Sequence, residues 1–152
     1  MFQGNWLKKY GWPLFLPLTR EDSYQFTSLR LPLTNDYAEF DSQVLALAKV
    51  IIDSINEKEL ARISPNIMAN DKGITKLEKY LQQQGFTDPN GRIAFLRNLW
   101  ELRSSGSGHR KGGNYQKVAR CFGIGQKELI AVFEEILNNA TNFIDELEVQ
   151  FL

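Results

Sequence analysis

The chain has 152 residues and a formal net charge of zero, with 18 Lys and Arg against 18 Asp and Glu. A single domain with a substantial core is the default at this length, and the balanced charge gives no indication of nucleic-acid binding. The lone cysteine, Cys121, excludes an internal disulfide and favours a reducing compartment. No apolar run approaches the ~20 residues of a membrane-spanning helix, and the N-terminus lacks the pattern of a signal peptide. We therefore expect a soluble, cytoplasmic protein without membrane contacts.

The charges are unevenly distributed along the chain. Residues 97 to 120 contain six basic residues and one acidic residue, whereas residues 128 to 152 contain six acidic residues and no Lys or Arg. The simpler interpretation is two solvated faces of opposite sign. The alternative is a phosphate-binding surface on the basic segment.

The N-terminal region differs from the rest of the chain. Pro13, Pro17 and Pro32 interrupt residues 5 to 34, so this stretch predicts an extended arm or a short strand pair rather than a helix. Its aromatic residues indicate packing along the body of the protein. We divide the chain into an extended arm (residues 1–35) and a helical domain (residues 36–152). Such a start is also compatible with a chain cut from a longer polypeptide.

The remaining sequence has the periodicity of amphipathic helices. Asp36 and Glu39 match a capping box at the start of the first helix, which is expected to end near Ala61. Further helices are predicted over residues 71–84, from residue 88 until Gly106 breaks the helix, over about 115–122, and from about 126 to 148. The fold class is therefore predicted to be all-α, a bundle of about five helices with an irregular, partly extended N-terminal arm.

One loop combines two groups that suit chemistry on a phosphodiester. Arg103 ends an amphipathic helix, and His109, the only histidine, follows after five small residues. A guanidinium is a permanently charged fork for phosphate oxygens, and an imidazole takes and returns protons near neutral pH. Leu99 and Trp100 share the helix face of Arg103, so we expect the guanidinium to emerge into a cleft or interface.

Simpler interpretations of these residues stay open. Arg103 can complement the C-terminal dipole of its helix, and His109 can be an exposed loop residue. The serines between them are typical of a flexible loop, and the chain has neither a nucleophile elbow nor a P-loop. No cluster of His, Cys or acidic residues has the spacing of a metal site, so we expect no metal.

The stretch from Leu96 to Arg103, the Ser/Gly loop, and the stretch from His109 to Tyr115 resemble the motif region of HEPN domains. These helical domains occur in bacterial defence systems, toxin–antitoxin pairs and CRISPR-associated ribonucleases. Their signature is an Arg at the end of one helix and a His near the next, separated by four to six residues. The motif covers residues 96 to 115, and the helical context extends the resemblance loosely over residues 36 to 150. The N-terminal arm has no counterpart in it.

The resemblance implies a metal-independent endoribonuclease that needs no cofactor. Arg103 would steady the scissile phosphate, and His109 would transfer a proton to or from the ribose 2′-OH or the leaving oxygen. Two copies of the motif usually meet across a dimer in such enzymes, so RNA and a second copy are the implied partners. Ser104 stands where the family often has Asn, Asp or His, and it is the candidate accessory residue.

Neighbouring residues extend the candidate site. Arg110, Lys111 and Lys117 are the expected phosphate-contacting groups, and Tyr115 is a candidate for stacking on a base. Cleavage is expected to depend on a group that titrates near neutral pH, as histidine does, and to be insensitive to EDTA.

Two other functions stay open. The first is a helical domain that binds RNA or a nucleotide without cutting it, because its motif is degenerate. The second is a protein-interaction or oligomerisation domain of a larger defence protein, with a regulatory or antitoxin partner. Salt dependence separates them, because phosphate binding weakens steeply with salt and apolar self-association does not.

Overall fold

The computed structural model describes residues 1–106 and 112–152, and within these ranges the chain is helical. The α-helices are α1 (Phe2–Tyr10), α2 (Ser23–Ser28), α3 (Tyr37–Ala48), α4 (Glu57–Ile63), α5 (Gly73–Gln83), α6 (Pro89–Gly106), α7 (Gly113–Phe122) and α8 (Leu129–Phe151). A π-helical segment, Lys49–Asp53, continues α3. Only isolated β-bridges occur in the described ranges. The predicted all-α class is confirmed, although more helices form than the five predicted.

The N-terminal region contains two helices that the sequence did not predict. α1 occupies residues 2–10 and α2 residues 23–28, so the prediction of no helix over residues 5–34 is wrong there. The three prolines all lie outside these helices and constrain only the segments between them. α1 ends at Gly11, whose φ of 77° closes the helix with a hydrogen bond from its N–H to the Leu7 carbonyl at 2.8 Å.

α1 packs against the C-terminal end of α8. Trp6 is fully buried, and its ring lies within 6.5 Å of five other aromatic rings, measured between centroids. Lys9 Nζ and Tyr10 Oη donate hydrogen bonds to the Phe151 carbonyl at 2.6 and 3.1 Å. These bonds satisfy a carbonyl in the last turn of α8, where no intrahelical donor is available. Burial in the same aromatic cluster raises the pKa of Tyr80 to about 12.

The core is formed mainly by α3, α6 and α8, and both α5 and α7 pack against α6. The apolar residues of α8, which step by four and three in the sequence, are all buried. They are Leu129, Phe133, Ile136, Ala140, Phe143 and Leu147. This face of α8 therefore belongs to the core of the protein.

The long first helix predicted between Asp36 and Ala61 is interrupted, so its predicted extent is wrong. The π-helical segment ends at Asp53, and a turn separates it from α4. Segment 14–16 fills this break: Asn56 N–H donates to the Leu14 carbonyl at 2.9 Å and Leu16 N–H to the Ser54 carbonyl at 2.6 Å. These long-range bonds satisfy backbone groups that a continuous helix would pair internally.

The predicted capping box at the start of α3 forms in a different way. Asp36 occupies the N-cap position, but its side chain makes no capping hydrogen bond. Glu39 instead accepts hydrogen bonds from the backbone N–H groups of Leu33 and Thr34, both at 2.9 Å, and pairs with Arg30 at 2.8 Å. These contacts lower the pKa of Glu39 to about 2, the Leu33 hydrogen bond being the largest cause. Glu39 thus ties the preceding loop to α3.

Candidate functional site

Arg103 lies in the last turns of α6 and is held by a residue from another helix. Its Nη1 atom lies 2.7 Å from each carboxylate oxygen of Asp53, which ends the π-helical segment. The Arg103 side chain is 20% exposed and that of Asp53 is 44% exposed. The guanidinium thus lies at the surface, between α6 and the chain that continues α3.

The segment that carries Asp53 is anchored at both ends. At its start, Lys49 forms an ion pair with Asp22, and this hydrogen bond lowers the pKa of Asp22 and raises that of Lys49. Just beyond its end, the Ser54 carbonyl accepts a hydrogen bond from the Leu16 N–H at 2.6 Å. π-helical turns are rare and occur frequently at functional sites. Here the turn ends at the carboxylate that contacts Arg103.

The second motif residue is outside the part of the chain that the structure describes. His109 falls in the interval between Gly106 and Gly112, and so do Arg110 and Lys111. Whether His109 meets Arg103 therefore stays a prediction, as do the phosphate-binding roles of Arg110 and Lys111.

A groove of about 560 Å³ lies between the end of α6 and the start of α7. Described residues lining it include Trp100, Glu101, Ser104, Ser105, Asn114 and Tyr115. Ser104 is exposed in this groove, whereas the Ser105 hydroxyl donates to the Glu101 carbonyl within α6 at 2.6 Å. The predicted accessory residue Ser104 and the predicted stacking residue Tyr115 therefore share one groove.

The two aromatic residues of this groove differ in accessibility. Tyr115 is only 7% exposed and packs against the core, so it offers little ring surface to a base. Trp100 is 44% exposed, in contrast to the buried Trp6 and Trp12. Trp100 is thus the better stacking surface. This exposure could not be predicted from the sequence, because Trp100 falls among the apolar positions of α6.

Lys117 does not line the groove between α6 and α7. α7 buries Tyr115, Val118 and Ala119, and Lys117 is exposed. Because Lys117 follows Tyr115 by two residues, the two side chains leave the helix on different sides. Within the described ranges Lys117 forms no ion pair, and its contact with phosphate stays a prediction.

A second groove, of about 570 Å³, lies on the other side of Trp100. Its walls come from the π-helical segment, the start of α5 and the middle of α6. The residues lining it are Ile52, Asp53, Glu57, Lys72, Gly73, Ile74, Thr75, Arg97, Trp100 and Glu101. Trp100 and Glu101 line both grooves, and Asp53 connects this one to Arg103.

Searches for other site types and for relatives gave negative results. Across residues 1–106 and 112–152, no three His, Cys, Asp or Glu side chains are grouped as a metal site requires. No helix in these ranges has the length and apolar character needed to cross a bilayer. Comparisons with models of protein families, with curated proteins and with solved structures found no match.

Proposed function

We propose that this protein is a metal-independent endoribonuclease of the HEPN type, acting on RNA in the cytoplasm in a bacterial defence or toxin–antitoxin context. The active species is a homodimer in which each copy supplies an Arg103 and a His109. A regulatory or antitoxin partner, or further domains of a longer chain, control the activity.

The observation that carries this proposal is the way Arg103 is held. Asp53 contacts Nη1 alone, so the N–H groups on Nε and Nη2 have no partner among the described residues. A guanidinium has five N–H donors, and a phosphate can use those that remain. The ion pair therefore supports a side chain that is fixed in orientation and still able to bind an anion.

The proposed reaction is attack of the ribose 2′-OH on the adjacent phosphorus. The 2′-oxygen forms a bond to phosphorus while its proton passes to a histidine acting as base. The bond from phosphorus to the 5′-oxygen breaks, and that oxygen takes a proton from an acid, supplied by the His109 of one copy or the other. The products are a 2′,3′-cyclic phosphate and a 5′-hydroxyl. Arg103 stabilises the negative charge that builds on the non-bridging oxygens.

Single-residue variants test the proposal directly. Purified protein is incubated with fluorescent single-stranded RNA in EDTA, and cleavage is followed on gels. Arg103→Ala and His109→Ala are expected to reduce the rate by ~10²–10³, because each removes a group that acts on the transition state. Arg20→Ala is the charge-matched control, because it removes an exposed arginine from the N-terminal region. Unchanged cleavage by the double variant Arg103→Ala, His109→Ala would show that another site is responsible.

The alternative function is a domain that binds RNA or a nucleotide without cleaving it, or that serves for oligomerisation in a larger defence protein. Two observations favour this alternative: Asp53 compensates part of the Arg103 charge, and Ser104 replaces the larger polar residue of the motif. Salt-sensitive binding of many RNAs without turnover would support a binding domain. Self-association that is insensitive to salt, without RNA affinity, would support an oligomerisation domain.

A further inference from the structure

We propose that the groove between the π-helical segment, α5 and α6 binds an unpaired nucleobase of single-stranded RNA, stacked on Trp100, with a preference for bases that carry an amino group. This inference rests on the proposed function, since it assigns the nucleotide next to the phosphate held by Arg103. The groove will be called the Trp100 groove.

The position of Trp100 is the first argument. Trp100 is 44% exposed although it lies in the middle of α6, on a helix whose other large apolar residues are mostly buried. Exposing this much aromatic surface inside a groove forgoes the stabilisation that burial would provide. An indole face open to a cavity of about 570 Å³ provides a flat surface on which a base can stack.

The second argument is the distance between Trp100 and Arg103. The two residues are three positions apart on one helix, so their Cβ atoms are separated by about 5–6 Å. A base and the phosphate of its own nucleotide are separated by a comparable distance. A base on Trp100 therefore brings its phosphate within reach of the Arg103 guanidinium without a long linker.

The third argument is the charge around the groove. The carboxylates of Asp53, Glu57 and Glu101 line it beside the cationic side chains of Lys72 and Arg97, so the lining carries both signs of charge. A lining of mixed sign suits an uncharged base with polar edges. Asp53 is paired with Arg103, and Glu57 with Lys76 at 2.6 Å. The side chain of Glu101 has neither a hydrogen bond nor an ion pair within the described ranges. A free carboxylate is an acceptor for the amino and imino N–H groups on the edge of a base.

The Glu101 carboxylate also provides the base preference. Guanine presents an amino and an imino donor side by side, which a carboxylate can accept together. Adenine and cytosine each present an amino group, and uracil has only one imino N–H. Thr75, whose hydroxyl is likewise without a partner in the described ranges, lines the opposite wall and supplies a further polar contact.

Tryptophan fluorescence makes this groove directly observable. Trp6 and Trp12 are 0% and 7% exposed, so a soluble quencher or ligand acts mainly on Trp100. Titration of the full chain with GMP is expected to quench fluorescence to saturation, and UMP is expected to bind at least about threefold more weakly. Quenching that is linear and identical for both nucleotides would overturn the proposal, because it would show collision with an exposed ring and no binding.

Variants test the same groove with a second readout. The probe is a fluorescently labelled, 2′-O-methylated single-stranded hexanucleotide, which cannot be cleaved through its 2′-oxygen, and binding is followed by anisotropy. Trp100→Leu is expected to weaken binding about tenfold, because one base loses its stacking partner, and Trp100→Phe is expected to retain most of the affinity. The matched control is Phe26→Leu at an aromatic residue that is 65% exposed elsewhere. Equal affinity of Trp100→Leu and the unaltered protein would refute the base site.

Two further measurements distinguish a base site from an interface between copies and test the role of Glu101. Glu101→Gln removes a charge without breaking a side-chain hydrogen bond or ion pair in the described ranges. It is expected to reduce the preference for GMP over UMP, and an unchanged preference would contradict the role of Glu101. If Trp100→Leu alters the oligomeric state in sedimentation and leaves RNA affinity intact, the groove is an interface between copies and the base site is wrong. Stacking that depends on Trp100 in a protein that never cleaves RNA would uphold the base site and refute only the nuclease.

Discussion

Arg103 and Asp53 are separated by 50 residues in the sequence and are joined by two contacts of 2.7 Å from one guanidinium nitrogen. The carboxylate comes from a π-helical segment and the guanidinium from the last turns of α6. This pair fixes the direction in which Arg103 presents its other N–H groups. Asp53 also lines the Trp100 groove, so one carboxylate connects both parts of the proposed RNA site.

The first prediction concerns the orienting role of Asp53. Asp53→Ala is expected to lower kcat for RNA cleavage by about tenfold, because a mobile Arg103 spends less time in the productive position. Asp53→Asn keeps one acceptor oxygen and is expected to retain more activity. Both side chains are partly exposed, so the loss in unfolding free energy should be below about 1 kcal/mol. The cleavage rate and the thermal unfolding of each variant are measured in parallel. Faster cleavage by Asp53→Ala would contradict the orienting role and indicate that the Asp53 carboxylate lowers the activity.

The second prediction concerns the chemistry of Arg103. Arg103→Lys keeps the positive charge but replaces a planar fork by a single ammonium. We expect it to restore less than about a tenth of the cleavage rate in steady-state assays. Lys8→Arg on α1 provides a control in which the same two residue types are exchanged at an exposed position outside the candidate site. Full activity of Arg103→Lys would mean that only the charge at this position matters.

The third prediction is a pH dependence of stability from Glu39. The folded-state pKa of Glu39 is lowered from its ordinary 4.5 to about 2, so its contribution is fully present above the unfolded value. That contribution is lost as the pH falls from about 5 to 2, because the folded state must then give up hydrogen bonds to the carboxylate. In Glu39→Gln, Tm at pH 7 should be lower and the decline of Tm in acid should be shallower.

Glu134→Gln is the matched control for this experiment, since Glu134 is exposed on α8 and forms no ion pair in the described ranges. Its Tm should follow that of the unaltered protein at every pH. If the Tm of Glu39→Gln declines in acid in the same way as that of the unaltered protein, Glu39 does not stabilise the loop before α3.

The fourth prediction tests whether α1 is part of the core. Trp6→Ala removes a fully buried indole that contacts rings from α1, α5 and α8, and it should lower the free energy of unfolding by about 3–5 kcal/mol. Leu7→Ala, at the next residue, removes a side chain that is 48% exposed and should cost less than about 1 kcal/mol. Urea unfolding measures both. Equal effects of the two variants would mean that α1 contributes no core packing.

Local signals in the sequence predicted the later helices well. Pro at the first position of α6 and Gly123 after α7 are start and stop signals that act within one turn of helix, and both helices begin or end there. The apolar periodicity of α8 placed its buried face correctly. The prediction failed at α1, where the prolines favoured an extended arm, and at the break between α3 and α4. That break depends on hydrogen bonds to segment 14–16, which no local pattern encodes.

The sequence alone determined that the chain is all-α, where α5 to α8 lie, and that an arginine lies near the end of α6, because caps and apolar periodicity act over a few neighbouring residues. Only the tertiary structure decided that Arg103 pairs with Asp53, that Tyr115 is largely buried and that Trp100 is exposed between two grooves. Those properties depend on how helices distant in the chain pack together, and packing is set by contacts that a one-dimensional pattern does not contain.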